Sequence, residues 1–136
     1  MADRRLPASR PGLAIGNDGV RHAVWYEAKN KPAIHYGQLD PSHPPRHAQL
    51  IATSGASHAD VAVHGHTVWV VWNQVGAGGY RLMLRHSGDH GAHFDAPRAI
   101  ASSTGTAGSP QLLQKQGHAL VAWNAVNRFR LLRIVP

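Results

Sequence analysis

The sequence contains no cysteine and little negative charge, with 7 Asp and Glu against 14 Lys and Arg. The absence of cysteine excludes disulfides and thiolate metal sites. The longest apolar run, Thr67 to Trp72, is far too short to span a bilayer as a helix, so we predict no membrane partner. Residues 1–6 carry charge but lack the apolar stretch of a signal peptide. Either the chain is cytosolic or an export signal lies outside it.

Helical periodicity is also missing. The chain instead has 14 Gly and 9 Pro in turn-like clusters that separate short apolar runs, which is typical of an all-β protein. A chain of 136 residues fits one domain with a modest core. The formal net charge of +7 raises the question of nucleic-acid binding. Because the basic residues are spread along the whole chain, we predict no nucleic-acid partner.

An internal repeat organises the chain. Tryptophan-bearing strands recur at intervals of about 50 residues, the size of a four-stranded propeller blade, at Trp25, Trp72 and Trp123. A large aromatic fills the gap between wedge-shaped sheets, so we predict that these three residues form the core of their blades. The repeat predicts about three four-stranded antiparallel blades.

The predicted boundaries follow from the turns between repeats. They are blade 1 over residues 10–53, blade 2 over residues 54–104 and an incomplete blade 3 over residues 105–136. Residues 1–9 are predicted as an N-terminal segment that either belongs to a preceding blade or closes blade 3 from outside as an edge strand.

The segment Ser87-Gly88-Asp89-His90-Gly91-Ala92-His93-Phe94 has the features of a tight hairpin turn. The Asp89 carboxylate suits backbone N–H donors of its own turn, Gly91 suits a positive φ, and Phe94 suits an apolar plug. Ser87 adds a hydroxyl at the entrance of the turn. This octapeptide resembles the Asp-box, or bacterial neuraminidase repeat, of sialidase-like β-propellers. The equivalent place in blade 1, around Asp40, resembles at best a degenerate copy.

The resemblance implies the C-terminal half of a six-bladed, sialidase-like ring, and a periplasmic or secreted location if the chain is a fragment. Sialidases are glycoside hydrolases of the exo-acting type that use three arginines, a Tyr/Glu pair and an Asp. The family's Phe-Arg-Ile-Pro motif does not occur here. After the turn residues are set aside, the carboxylates left for chemistry are Glu27, Asp60 and Asp95. Tyr26 beside Glu27 is interpreted as packing, because neighbours on a strand face opposite ways.

We therefore predict a non-catalytic propeller module, without a cofactor, that binds a carbohydrate or partner or assembles into a closed ring. The alternative is an exo-sialidase-type hydrolase whose site a second chain or a missing half completes. Three blades leave apolar faces open, which predicts self-association as a dimer of half-propellers. Trp69 faces away from Trp72 by strand parity, so it is the candidate for an exposed ligand or subunit contact.

The chain has 11 histidines, several of them near the Ser87–Phe94 segment. They are interpreted either as ligands of a surface metal site or as polar turn residues. No companion carboxylate cluster supports a dedicated site, so we predict no metal.

Overall fold

A computed structural model describes residues 10–28, 31–126 and 128–135. Every regular element within these residues is a β-strand. The eleven strands are β1 (Gly12–Ile15), β2 (Arg21–Glu27), β3 (Ala33–Asp40), β4 (His43–Ala52), β5 (Ala56–His64), β6 (Thr67–Gly76), β7 (Gly79–Ser87), β8 (Arg98–Ser103), β9 (Gln111–Lys115), β10 (His118–Ala125) and β11 (Arg128–Arg133). The described residues include no helix of the length and apolarity that a membrane crossing requires.

The strands form three antiparallel meanders that follow one another along the chain. Blade 1 has the order β1-β2-β3-β4, blade 2 has β5-β6-β7-β8, and blade 3 has β9-β10-β11 within the described residues. The first strand of blade 2, β5, contacts both β1 of blade 1 and β9 of blade 3. The first strands of the three blades therefore lie side by side, as the innermost strands of a propeller do. The segment 1–9, with its predicted edge strand, lies outside the described residues.

Two apolar layers hold the blades together, one on each face of blade 2. The layer between blades 1 and 2 contains Val24, Tyr36 and Trp72, and the layer between blades 2 and 3 contains Trp69 and Trp123. Alternate residues of β6 point into different layers, since successive side chains of a strand face opposite ways. Both faces of blade 2 are therefore buried, and β6 is apolar over most of its length.

The three repeat tryptophans occupy corresponding positions with different exposure. Trp72 and Trp123 are 1% and 0% exposed, each on the face of its blade that meets the preceding blade. The Trp123 Nε1–H donates to Asn73 Oδ1 at 2.9 Å, which ties blade 3 to blade 2. Trp25, which was also predicted as a core residue, instead faces the outer side of blade 1, because β2 turns this side chain away from blade 2. It is half-buried there and stacks on His35 with the ring centroids 6.0 Å apart.

The connection between β3 and β4 differs from the sequence-based expectation. Instead of a degenerate Asp-box loop, a tight turn joins Asp40 directly to His43 across the hairpin. The Asp40 Oδ1 atom accepts a hydrogen bond from the Ser42 N–H at 2.9 Å, and this bond stabilises the tight turn. The strand β4 tolerates Pro44 and Pro45 because it is an edge strand of blade 1.

Candidate ligand cleft at the propeller axis

A polar cleft of about 230 Å³ lies where the three innermost strands begin. Its lining comes from all three blades and consists of Arg10, Pro11, Gly12, His58, Ala59, Asp60, Ser109, Pro110 and Gln111. The cleft therefore lies at the propeller axis, where the innermost strands of neighbouring blades come together. Side chains of these types offer hydrogen-bond donors and acceptors to a polar ligand.

Asp60 joins the three blades at the floor of this cleft. Its Oδ2 atom accepts a hydrogen bond from the Leu112 N–H of β9 at 2.8 Å, and its Oδ1 atom accepts one from the Val61 N–H at 2.9 Å. Gly12 of β1 approaches so closely that a Cβ atom there would lie 3.1 Å from Asp60 Oδ1. Burial raises the pKa of Asp60, although the two backbone donors act in the opposite direction.

His58 is presented to the cleft by an irregularity in β5. The register of β5 against β6 shifts between Ser57 and Asp60, and His58 takes a positive φ of 57°. Its Nδ1 atom lies 3.0 Å from the hydroxyl oxygen of Ser109 in blade 3. Burial lowers the pKa of His58, which favours the neutral imidazole. The bulge thus turns a side chain toward the next blade, as bulges near functional sites commonly do.

Only one of the three carboxylates left as chemical candidates lines the cleft. Glu27 is the last residue of β2 and contacts His35 Nε2 at 3.2 Å. Asp95 contacts His86 Nδ1 at 2.5 Å, next to the end of β7. Tyr26 packs against the layer between blades 1 and 2. The structure therefore does not bring Asp60, Glu27 and Asp95 together.

The predicted turn residues form a compact hydrogen-bonded hairpin end. The Ser87 hydroxyl donates to Asp89 Oδ1 at 2.7 Å and accepts from the Gly91 N–H at 2.9 Å. The His93 N–H also donates to Asp89 Oδ1, at 2.9 Å, and Gly91 has a φ of 89°. Ser87 is buried, and these bonds satisfy its hydroxyl.

This turn packs on blade 1 rather than on the cleft. The Phe94 ring meets the Tyr36 ring edge to face, with centroids 4.9 Å apart. Two glutamines of blade 1 hold the turn, since Gln38 Nε2 donates to His90 O and Gln49 Nε2 donates to Gly91 O, each at 2.7 Å. The turn follows the end of β7, which runs parallel to β5, so it lies at the opposite end of the blades from the cleft.

The Asp89 carboxylate predicts a measurable acid sensitivity. The His93 side chain, the His93 N–H and the Ser87 hydroxyl hold the pKa of Asp89 far below its usual value of 3.8. The stabilisation is therefore present above that value and is lost as pH falls below it. We expect Asp89→Asn to flatten the decline of the thermal midpoint below about pH 4, measured by circular dichroism. Glu27→Gln is the control, and an equal flattening in both variants would contradict the assignment.

Histidines cluster between blades 1 and 2 at the end opposite the cleft. His90 Nε2 contacts Asp18 Oδ2 at 2.8 Å, and the His90 ring lies near the rings of His22 and His66. His22 Nδ1 is 2.6 Å from the Tyr36 hydroxyl oxygen, and burial, followed by the nearby His90, lowers the pKa of His22. Within residues 10–28, 31–126 and 128–135, no three His, Asp or Glu side chains are grouped as a metal site would require.

Trp69 is not exposed, which corrects the expectation drawn from strand parity. It faces away from Trp72 as predicted, but it is only 7% exposed because blade 3 covers that face of blade 2. It borders a cavity between these two blades together with His86 and Arg98.

Sequence reasoning named Asp60 but missed Arg10, His58, Ser109 and Gln111 as neighbours in one cleft. The repeat could have indicated Arg10 and Ser109, which lie just before the first strands of their blades. Residues just before the first strand of each repeat converge at the axis of a propeller. The bulge that presents His58 left no such signal, since it depends on the register of β5 against β6.

Comparisons with known proteins identify the fold. No family model matches the sequence, and no curated protein matches it. The structure is similar to an exo-1,5-alpha-L-arabinanase from a bovine ruminal metagenomic library, a five-bladed β-propeller, with a TM-score of 0.59 at 15% identity. The match covers 92% of this chain and 52% of the arabinanase, so the chain spans about half the length of the arabinanase.

At this identity the similarity shows the fold alone. The chain has an all-β, β-propeller fold, as the repeat predicted. The similarity supports propellers in general and does not single out the sialidase-like family, so membership in that family stays a prediction.

Proposed function

We propose that this chain is a non-hydrolytic propeller module that binds a carbohydrate at its axial cleft. The observation that carries the proposal is the composition of the cleft, whose lining combines the polar side chains of His58, Ser109 and Gln111 with one carboxylate, Asp60, and one guanidinium, Arg10. Sugar hydroxyl groups are recognised by such donors and acceptors. The axial end of the innermost strands is a concave position shared by three blades, which suits a ligand site.

The same composition argues against hydrolysis by a single copy. Most glycoside hydrolases use two carboxyl groups about 5–10 Å apart, one as acid and the other as nucleophile or base, and sialidases combine a Tyr/Glu pair with an Asp. Asp60 is the one carboxylate of the cleft lining within the described residues, and both of its oxygens accept backbone hydrogen bonds. Its position between β5 and β9 fits a role in fixing the geometry of the cleft.

The proposed ligand is a neutral glycan, and the arabinanase supplies one test substrate class. We expect weak binding of arabino-oligosaccharides, measured by calorimetry. Gln111→Ala should weaken the binding about fivefold, because a lost ligand hydrogen bond costs on the order of 1 kcal/mol. Gln114→Ala is the matched control, since Gln114 lies on the same strand but outside the cleft lining.

Hydrolysis is measured in parallel with a fluorogenic sialoside and a chromogenic arabinofuranoside. We expect no turnover above that of buffer. Robust turnover of either substrate that Asp60→Asn abolishes would contradict the proposal. Turnover of the sialoside would support the alternative, an exo-sialidase-type hydrolase whose site a second chain or a missing half completes. Absence of binding by every glycan would also contradict it.

We further infer that a second copy of this chain completes the ring. The chain spans about half the length of the arabinanase, and the outer faces of blades 1 and 3 both expose apolar side chains. These are Leu13, Ile15, Leu39 and Leu50 on blade 1 and Leu113, Phe129 and Leu131 on blade 3. Two copies that pair blade 1 of each with blade 3 of the other would bury all four faces in a closed dimer.

A further inference from the structure

A second cavity, of about 430 Å³, lies between blades 2 and 3 at the end opposite the axial cleft. Its lining combines an aromatic ring, aliphatic side chains and four basic residues. The lining consists of Thr67, Trp69, Leu84, His86, Arg98, Gly117, His118, Ala119, Arg133, Ile134 and Val135. None of these residues is acidic, so the cavity has a basic and partly apolar wall.

The repeat shows which part of blade 1 corresponds to this wall. Tyr36 pairs with Val24, one residue before Trp25, and Leu84 pairs with Val71, one residue before Trp72. Leu84 in blade 2 therefore stands where Tyr36 stands in blade 1.

The same register extends to the two neighbouring positions. His86, two residues after Leu84, corresponds to Gln38, two residues after Tyr36. On the fourth strand, Arg98 pairs with Leu84 as Gln49 pairs with Tyr36. Three residues of the cavity wall thus occupy the positions that hold the Ser87–Phe94 turn on blade 1.

On blade 1 these positions recognise two chemical features of that turn. Gln38 and Gln49 donate to backbone carbonyl oxygens, each at 2.7 Å. Tyr36 contacts the Phe94 ring. The site on blade 1 therefore binds two carbonyl oxygen acceptors and an aromatic ring close to them.

On blade 2 the neutral amide donors are replaced by basic ones. A guanidinium donates to carboxylate or phosphate oxygens in a fork and binds them more strongly than a neutral carbonyl. The Arg98 Nη2–H donates to Val135 O at 2.8 Å, which fixes the guanidinium across the blade 2–blade 3 boundary. The carboxylate next to the wall, Asp95, is already in contact with His86 at 2.5 Å.

The apolar part of the wall matches the ring that blade 1 holds. Leu84 replaces Tyr36, and Trp69 stands three residues before Trp72, in the place that His22 takes before Trp25. Trp69 is only 7% exposed, so it presents a small part of its aromatic ring to the cavity.

We propose that this cavity binds a small molecule in which a carboxylate or phosphate group is attached to a ring. The anionic group contacts Arg98, and the ring lies against Val135, which is exposed, and against the part of Trp69 that borders the cavity. The site is separate from the axial cleft, so this inference does not depend on the proposed carbohydrate function.

Matched pairs of probes test the proposal on the purified chain. Glucuronate is compared with glucose, and phenyl phosphate with phenol, by calorimetry and by amide chemical shifts in ¹H–¹⁵N spectra. We expect at least one anionic probe to bind at least about tenfold more tightly than its neutral partner, because a charged hydrogen bond contributes more than a neutral one. The shifts should centre on residues of β6, β7 and β10 that line the cavity.

Arg98→Gln should weaken the binding of the anionic probe at least about tenfold. Arg81→Gln removes the same charge from an exposed site near the other end of β7 and should leave the affinity unchanged. If Arg98→Gln does not fold, Arg98→Lys keeps the charge without the fork and should bind with intermediate affinity. Equal binding of anionic and neutral probes, equal losses in both glutamine variants, or no saturable binding would each overturn the proposal.

Discussion

Replacement of Gly91 by alanine is expected to lower the free energy of unfolding by about 2–5 kcal/mol, a large part of the stability of a small domain. Gly91 has a φ of 89°, which an alanine adopts only with strain. A Cβ atom at this position would also lie 2.1 Å from the Tyr36 hydroxyl oxygen. The ring of Tyr36 would have to move away from His22, whose Nδ1 atom now lies 2.6 Å from that hydroxyl oxygen.

Gly88 provides a control within the same turn. A Cβ atom at Gly88 would meet nothing within 4 Å, so Gly88→Ala should leave stability almost unchanged. Urea unfolding at one fixed protein concentration gives the comparison, since association would otherwise alter the apparent stability. Equal effects of the two substitutions would contradict the argument. Tyr36→Phe should recover part of the loss in a Gly91→Ala background, because it removes the nearest atom.

Local chemistry explains why this turn was predictable from the sequence. The roles of Ser87, Asp89 and Gly91 involve groups at most six residues apart, so the residue types and their spacing contain the needed information. Strand periodicity also indicated that Trp25, Trp72 and Trp123 lie on the same face of their blades. It did not indicate that this face of blade 1 lacks a neighbouring blade, so Trp25 is only half-buried.

Features that depend on contacts between two blades were harder to predict from the sequence. Parity correctly separated Trp69 from Trp72 but gave no information on whether blade 3 covers the second face of blade 2. The Gln38 and Gln49 side chains bond to the turn across 52 and 42 residues of sequence, and no local pattern marks such contacts. The axial cleft likewise depends on three strand ends and on the bulge at His58. Predicting these features requires the arrangement of whole blades.

The association of two copies has a large expected effect on molecular mass. We expect the purified chain to show about twice its 14.7 kDa in light scattering, with little dependence on salt, because apolar contacts are not screened. Phe129 and Leu131 are 66% and 56% exposed on the outer face of blade 3. The double substitution Phe129→Glu and Leu131→Glu places two charges in the proposed interface and should shift the mass to that of one chain.

A control substitution distinguishes association through this interface from non-specific association of exposed apolar side chains. Val75 is 50% exposed at the β6–β7 hairpin, away from both outer faces, so Val75→Glu should leave the dimer intact. A charge on the opposite partner surface, Ile15→Glu on blade 1, should break the dimer as the blade 3 substitutions do, because the closed arrangement pairs these faces. Dissociation by the blade 3 substitutions alone would indicate instead that blade 3 pairs with blade 3. A wild-type monomer at all concentrations would contradict ring closure by a second copy.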